Sequence, residues 1–195
     1  MRFLWLDTET TGIEVTDSAA FELAFILVDN GRFICERCFF LNPLSETIIY
    51  HAEAGAIHGY SEADIKAFPS EQEQMPKIAA FLEESRELWQ KDGSKSEKLI
   101  IAGYNVGFDI AHLKAGLERH GFKFDDYFSE IIADVFEQVK KAGRQRILPY
   151  LQNRKLTTIA EHLGIEYENA HDALADIKVT RQVAAKLQTL GASLL

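Results

Sequence analysis

Cysteine and basic charge are both scarce in this chain of 195 residues, and each scarcity excludes something. Two cysteines cannot fill a four-ligand structural zinc site or staple a fold of this size. They are Cys35 and Cys38, inside Phe33-Ile34-Cys35-Glu36-Arg37-Cys38-Phe39-Phe40, a segment that reads as a strand. Strand residues three apart point to opposite faces, so the pair is expected to be ordinary strand residues in a reducing compartment. No apolar run approaches the length of a membrane-crossing helix. The opening Met1-Arg2-Phe3-Leu4-Trp5-Leu6 meets Asp7 too soon for a secretory signal core. The expectation is a cytoplasmic protein with no membrane partner.

Basic charge is the scarcity that matters most. The 21 lysines and arginines against 30 acids leave a net charge of -9, the wrong sign for a surface that grips phosphate everywhere. Clustered carboxylates neutralised by bound cations would account for part of that excess. The basic residues are also unevenly spread: Lys140, Lys141, Arg144, Arg146, Arg154 and Lys155 occur with no acid between Glu137 and Glu161. That run reads either as a solvated loop and helix end or as a patch that tracks a nucleic-acid strand.

What is present is an ordinary core-forming composition, 47% hydrophobic and 26% charged, so residues 1–195 are expected to form one domain. Arg2 to Asp7 reads as a buried strand. Phe21 to Val28 and Phe33 to Leu41 read as two more, joined by the hairpin signal Asp29-Asn30-Gly31. His51 to His58 reads as a short helix closed by Gly59, Ser61 as an N-cap, and Ser70 to Trp89 as a helix carrying Ile78, Phe81, Leu82 and Leu88. The polar stretch Lys91 to Lys98 reads as a surface loop, the segment most prone to disorder. Leu99 to Gly103 and Ile131 to Ala133 read as strands; Phe108 to His120, Val135 to Lys141 and Thr157 to Leu163 read as helices. A final helix capped by Asp172 is expected to run to about Leu190, burying Leu174, Ile177, Ala184 and Leu187. A meander followed by alternating strands and helices predicts an α/β fold with a mixed five-stranded sheet and helices on both faces.

Five side chains carry the chemistry. Asp7 and Glu9, in Leu4-Trp5-Leu6-Asp7-Thr8-Glu9-Thr10-Thr11-Gly12, sit two apart at a strand end and project to one face. Two carboxylates so held repel each other unless hard divalent cations, which prefer oxygen, bridge them. Asp109, in Tyr104-Asn105-Val106-Gly107-Phe108-Asp109, follows a buried strand and opens a helix, at the sheet edge where ligands bind. His171 and Asp176 share a helix in sequence but not a face, because five residues turn through about 500°. They converge only if His171 precedes the helix and Asp176 lies a turn inside it, with Asp172 as N-cap. Taken singly, each is a polar strand end, a first-turn acid or a surface histidine. The conjunction points to metal-dependent hydrolysis.

With these motifs the chain resembles the DEDD superfamily of 3'-to-5' exonucleases, in the branch with a catalytic histidine. It is similar to the proofreading epsilon subunit of bacterial DNA polymerase III and its free-standing relatives. Ala56-Ile57-His58-Gly59-Tyr60-Ser61 and Leu156-Thr157-Thr158-Ile159-Ala160-Glu161-His162-Leu163-Gly164 extend the resemblance to about residues 2–187. It implies a ribonuclease H-like fold. It implies two Mg2+ or Mn2+ ions on Asp7, Glu9, Asp109 and Asp176, with His171 as general base. An imidazole, titrating at about 6.5 when unperturbed, suits that role near neutral pH. Thr10, Thr11 and Gly12 are implied near the terminal 3'-hydroxyl, and Ile57, His58 and Phe108 around its sugar and base. Tyr104 stands where relatives often carry histidine. His51, His112, His120 and His162 have no motif support and are expected to be structural or exposed.

The expected substrate is the 3' end of a nucleic acid, DNA ahead of RNA, with an RNA-trimming or oligoribonuclease-like enzyme as the alternative. A polymerase-binding module is the reading from another class. The chain ends at Leu195, without the long extension by which the resembling subunit docks its polymerase, so that partner gains no support. A phosphoaspartyl phosphatase fits less well, since Glu9 stands where its second Asp would be.

Overall fold

Three antiparallel strands open the fold: β1 (Arg2–Thr10), β2 (Ala20–Asp29) and β3 (Arg32–Phe40). The computed structural model describes residues 1–87, 98–168 and 170–195. Asn30 and Gly31, at φ 47° and 80°, make the tight β2–β3 turn, as the Asn-Gly pair demands. β4 (Leu99–Gly103) and β5 (Phe128–Asp134) add parallel to the other edge of β1, giving the order β3-β2-β1-β4-β5. β1 runs three residues beyond the predicted Asp7, because Thr8, Glu9 and Thr10 continue the ladder with β2. The predicted strand at Ile131 to Ala133 is longer, and Ile131 and Ile132 are exposed because β5 is a sheet edge.

The helices are α1 (Ala52–His58), α2 (Glu62–Lys66), α3 (Glu71–Glu87), α4 (Gly107–Arg119), α5 (Phe124–Tyr127), α6 (Val135–Arg144), α7 (Leu156–His162) and α8 (Ala173–Thr189). Gly59 ends α1 at φ 82°, and Ser61 and Asp64 form a capping box on α2. Leu88, Trp89 and most of the polar loop fall outside the described residues.

Strand alternation divides the core in two. Leu4, Leu6, Leu23, Phe25 and Leu27 pack under α3 and α4, while Trp5, Ala24, Ile26 and Val28 pack under α6, α7 and α8. Cys35 and Cys38 part in the same way, one to each layer, and both thiols are free. The result is the predicted ribonuclease H-like arrangement, a mixed sheet covered on both faces. α8 differs in detail: Leu174 is only half-buried, and Val179 and Val183 join Ile177, Ala184 and Leu187 in the core. Among the described residues no helix is long and apolar enough to cross a membrane.

Candidate active site

Three segments meet at the carboxyl ends of β1 and β4. Because side chains alternate along β1, Asp7 and Glu9 lie on the Trp5 side of the sheet, toward α8, and Thr8 faces the opposite side. Asp109, buried in the first turn of α4, closes on Thr8: the Thr8 amide and hydroxyl both donate to its Oδ1, at 2.9 and 2.8 Å.

The third segment solves its geometric problem as its sequence requires. The side chain of Asp172 caps α8 by accepting from the Ala175 amide at 2.8 Å, so His171 lies before the helix. His171 adopts a left-handed φ of 71°, a conformation that costs energy for a residue with a Cβ. This turn lets the His171 amide donate to Asp176 Oδ1 at 3.2 Å. Glu9, His171 and Asp176 then offer ligand atoms within 4.8 Å of one another.

The electrostatics are those of crowded acids. Asp7 is pushed well above the usual carboxylate range, first by burial and then by Asp109, Asp176, Glu9 and Glu22. Burial, then Asp176 and Glu22, push Glu9 up to about 9. Burial raises Asp109 to about 7 against the opposing bonds from Thr8. Asp176 is raised by burial despite a hydrogen bond from Tyr167. Burial and, secondarily, the charge of His171 lower His58.

Sequence reasoning missed several members. Glu22 lies opposite Glu9 in the β1–β2 ladder, is almost fully buried, and has its Oε2 without a hydrogen-bond partner. Burial raises it to about 7. Only the β1–β2 register reveals it. Tyr167 had no motif to mark it.

Two open clefts flank the cluster. One, of about 480 Å3, is lined by Glu9, Thr10, Gly12, Ile57, His58 and Phe108. His51, expected to be structural or exposed, also lines it; a Cβ on Gly12 would meet its ring at 2.3 Å. Thr11 stands apart: it is fully buried, and its hydroxyl accepts from the Ala19 amide at 3.1 Å. His112 is buried beneath Phe108, ring centroids 4.4 Å apart. The second cleft, of about 690 Å3, reaches His171 and Asp176 from the other side, past Tyr104, Arg154 and Lys155.

Residues 4–184 match the model of the exonuclease family RNase_T. The chain belongs to the exonuclease family. Its resemblance to the DEDD 3'-to-5' exonucleases is thereby borne out. Among relatives of this exonuclease, the DNA polymerase III PolC-type of Pediococcus pentosaceus is 27% identical over 182 residues, covering 92% of this chain and 11% of that protein. The corresponding protein of Oceanobacillus iheyensis is 26% identical over 188 residues, 95% of this chain and 11% of its own length. This chain thus spans about a tenth of those relatives. Exonuclease I from Methylocaldum szegediense superposes with a TM-score of 0.79 at 20% identity, over 99% of this chain and 41% of that one. Exonuclease I of E. coli in complex with a dA16 oligonucleotide gives 0.74 at 22% identity, over 96% and 41%. At such identities the likeness establishes the fold.

Enzymes of this family need divalent metal ions, and the donor set here fits them. Among the described residues no lysine or arginine pairs with Asp7, Glu9, Glu22, Asp109 or Asp176. The buried Glu22 Oε2 is likewise unpartnered. Carboxylate oxygens with no lysine or arginine paired to them suit a hard divalent ion, and the His171 imidazole stands among them.

Proposed function

We propose that this exonuclease releases nucleoside monophosphates from the 3' end of DNA, with Asp7, Glu9, Asp109 and Asp176 holding two Mg2+ or Mn2+ ions and His171 as general base. The observation that carries this reading is the crowding of these carboxylates, unpaired with any basic side chain among the described residues, beside the His171 imidazole. When bound, such a pair offsets charge on the scissile phosphate and acidifies an attacking water.

The chain's own residues do the rest. Ile57 and Phe108 give the 480 Å3 cleft apolar walls for the terminal sugar and base, and Thr10 and Gly12 also line it. Thr10 is not free to swing, since its hydroxyl donates to the Gly12 carbonyl at 2.6 Å. His171 is exposed, so water reaches its imidazole. A ring nitrogen takes the proton of the attacking water as the new P–O bond forms. The P–O3' bond breaks, and the departing 3' oxygen takes a proton from solvent. Asp176, anchoring the His171 amide, sets where that base stands.

Support for DNA comes from exonuclease I, solved with dA16, and from the DNA polymerase III relatives. Those relatives also favour a compatible second reading, association with a DNA polymerase. The free thiols of Cys35 and Cys38 suit a reducing, cytoplasmic setting.

The test is incubation of 5'-labelled DNA and RNA oligonucleotides of matched sequence with Mg2+. Stepwise shortening of DNA from the 3' end is expected. Shortening of RNA alone overturns the substrate, and intact strands of both kinds overturn the activity.

A further inference from the structure

The second cleft shares His171 and Asp176 with the metal cluster but no wall with the terminal-nucleotide pocket, and its remaining walls carry basic and aromatic groups. It starts at His171 and Asp176 and runs past Tyr104 to Arg154 and Lys155. Arg154 also lines a neighbouring hollow of about 320 Å3 whose other walls include Arg146 and Tyr150. The two hollows therefore adjoin at Arg154, and together they place basic groups along one side of the cluster.

Arg146, Tyr150, Arg154 and Lys155 are each available to a ligand. Arg146, Arg154 and Lys155 are exposed and form no ion pair among the described residues, whereas Lys140 nearby pairs with Glu137 at 2.5 Å. Arg146 has a left-handed φ of 58°, just beyond α6, where glycine or asparagine is the stable choice. Tyr150 is 95% exposed, leaving its ring open for a planar partner. The segment carrying Arg154 and Lys155 is tied down: the Tyr104 hydroxyl donates to the Arg154 carbonyl at 2.5 Å, and Asn153 Oδ1 accepts from the Lys155 amide at 2.9 Å.

We propose that Arg146, Tyr150, Arg154 and Lys155 form a track for single-stranded nucleic acid on the 5' side of the scissile phosphate. The direction rests on the function proposed above. If the terminal nucleotide fills the cleft of Ile57 and Phe108, the scissile phosphate lies over the cluster, and the preceding nucleotides leave across it. The cleft on that far side is the basic one. Cations spaced along a groove with an open aromatic ring are what an unpaired strand takes up, through its phosphates and one stacked base. This also resolves the overall charge of -9: the acid excess includes the cluster, and the strand meets a local basic surface.

The experiment is fluorescence anisotropy of a 5'-labelled 12-nucleotide single strand in EDTA, where binding is read without hydrolysis, with R146E and Tyr150→Ala beside the parent chain. Each substitution is expected to weaken binding about 10-fold. R146E is also expected to flatten the slope of log affinity against log salt by about 0.7 or more, one phosphate contact on a single strand. In Mg2+, the penalty on kcat/KM is expected to be several-fold greater for the 12-mer than for a dinucleotide. Parental affinity and salt slope in both variants overturn the track, as does an equal kinetic penalty at both lengths. Weakened binding by variants of a chain that shortens no strand in Mg2+ retains the track and removes the exonuclease reading instead.

Discussion

Thr8 and Asp109, 101 residues apart in sequence, are tied twice: amide and hydroxyl of Thr8 both donate to one carboxylate oxygen of Asp109. The pair links β1 to α4 and fixes the carboxylate that α4 brings to the cluster. It also lowers the pKa of Asp109 against a larger upward push from burial.

Thr8→Val keeps the shape and the amide bond but deletes the hydroxyl donor. Leaving a buried acceptor short by one bond costs about 1–3 kcal/mol. Urea unfolding at pH 8 is expected to show that loss, and the acid limb of the pH–rate profile should move to higher pH. An unchanged midpoint and profile would mean the hydroxyl does not set the carboxylate.

His171→Ala is expected to lower kcat about 10²- to 10⁴-fold, the usual contribution of a general base. The imidazole is exposed, so circular dichroism and the thermal midpoint should hardly move. Parental turnover in this variant would remove His171 from the proton transfer.

The raised carboxylates fix the sign of a pH effect on stability. Glu9 at about 9 and Asp109 and Glu22 at about 7 hold protons in the fold that the unfolded chain has released. Their contribution is complete below the unfolded value of about 4 and is lost as pH rises through 7 and then 9. Without divalent ions the thermal midpoint is therefore expected to fall from pH 5 to pH 9. Added Mg2+ should restore it most at the alkaline end, where the acids are ionised. A metal-free midpoint that rises across this range contradicts the crowding.

Gly12→Ala tests the first cleft. The added Cβ would meet the His51 ring, which lies 3.4 Å from Asp17, so that ring must shift. Overpacking costs about 1–3 kcal/mol, and KM for an oligonucleotide is expected to rise about 10-fold with a smaller change in kcat. Unaltered KM would place the terminal nucleotide elsewhere.

The strands, the principal helices and the convergence of Asp7, Glu9, Asp109, Asp176 and His171 were legible because each rests on local spacing plus strand parity or a cap. Glu22 was not, because its place beside Glu9 is set by cross-strand register, which no local pattern encodes. His51 comes to line the first cleft for a similarly non-local reason. Its amide bonds to the Thr11 carbonyl at 2.8 Å, a long-range contact that folds its loop against the cleft. The four residues of α5 are too few to show a period, and β5 lacked a clear signature because Ile131 and Ile132 face solvent at an edge.

The most direct measurement is a Mn2+ titration followed by electron paramagnetic resonance, on the parent chain and on Asp7→Asn. Two bound ions per chain are expected in the parent, with at least one lost in the variant and catalysis lost with it. No saturable binding at millimolar Mn2+, or two ions in both proteins, would contradict a paired metal centre on these carboxylates.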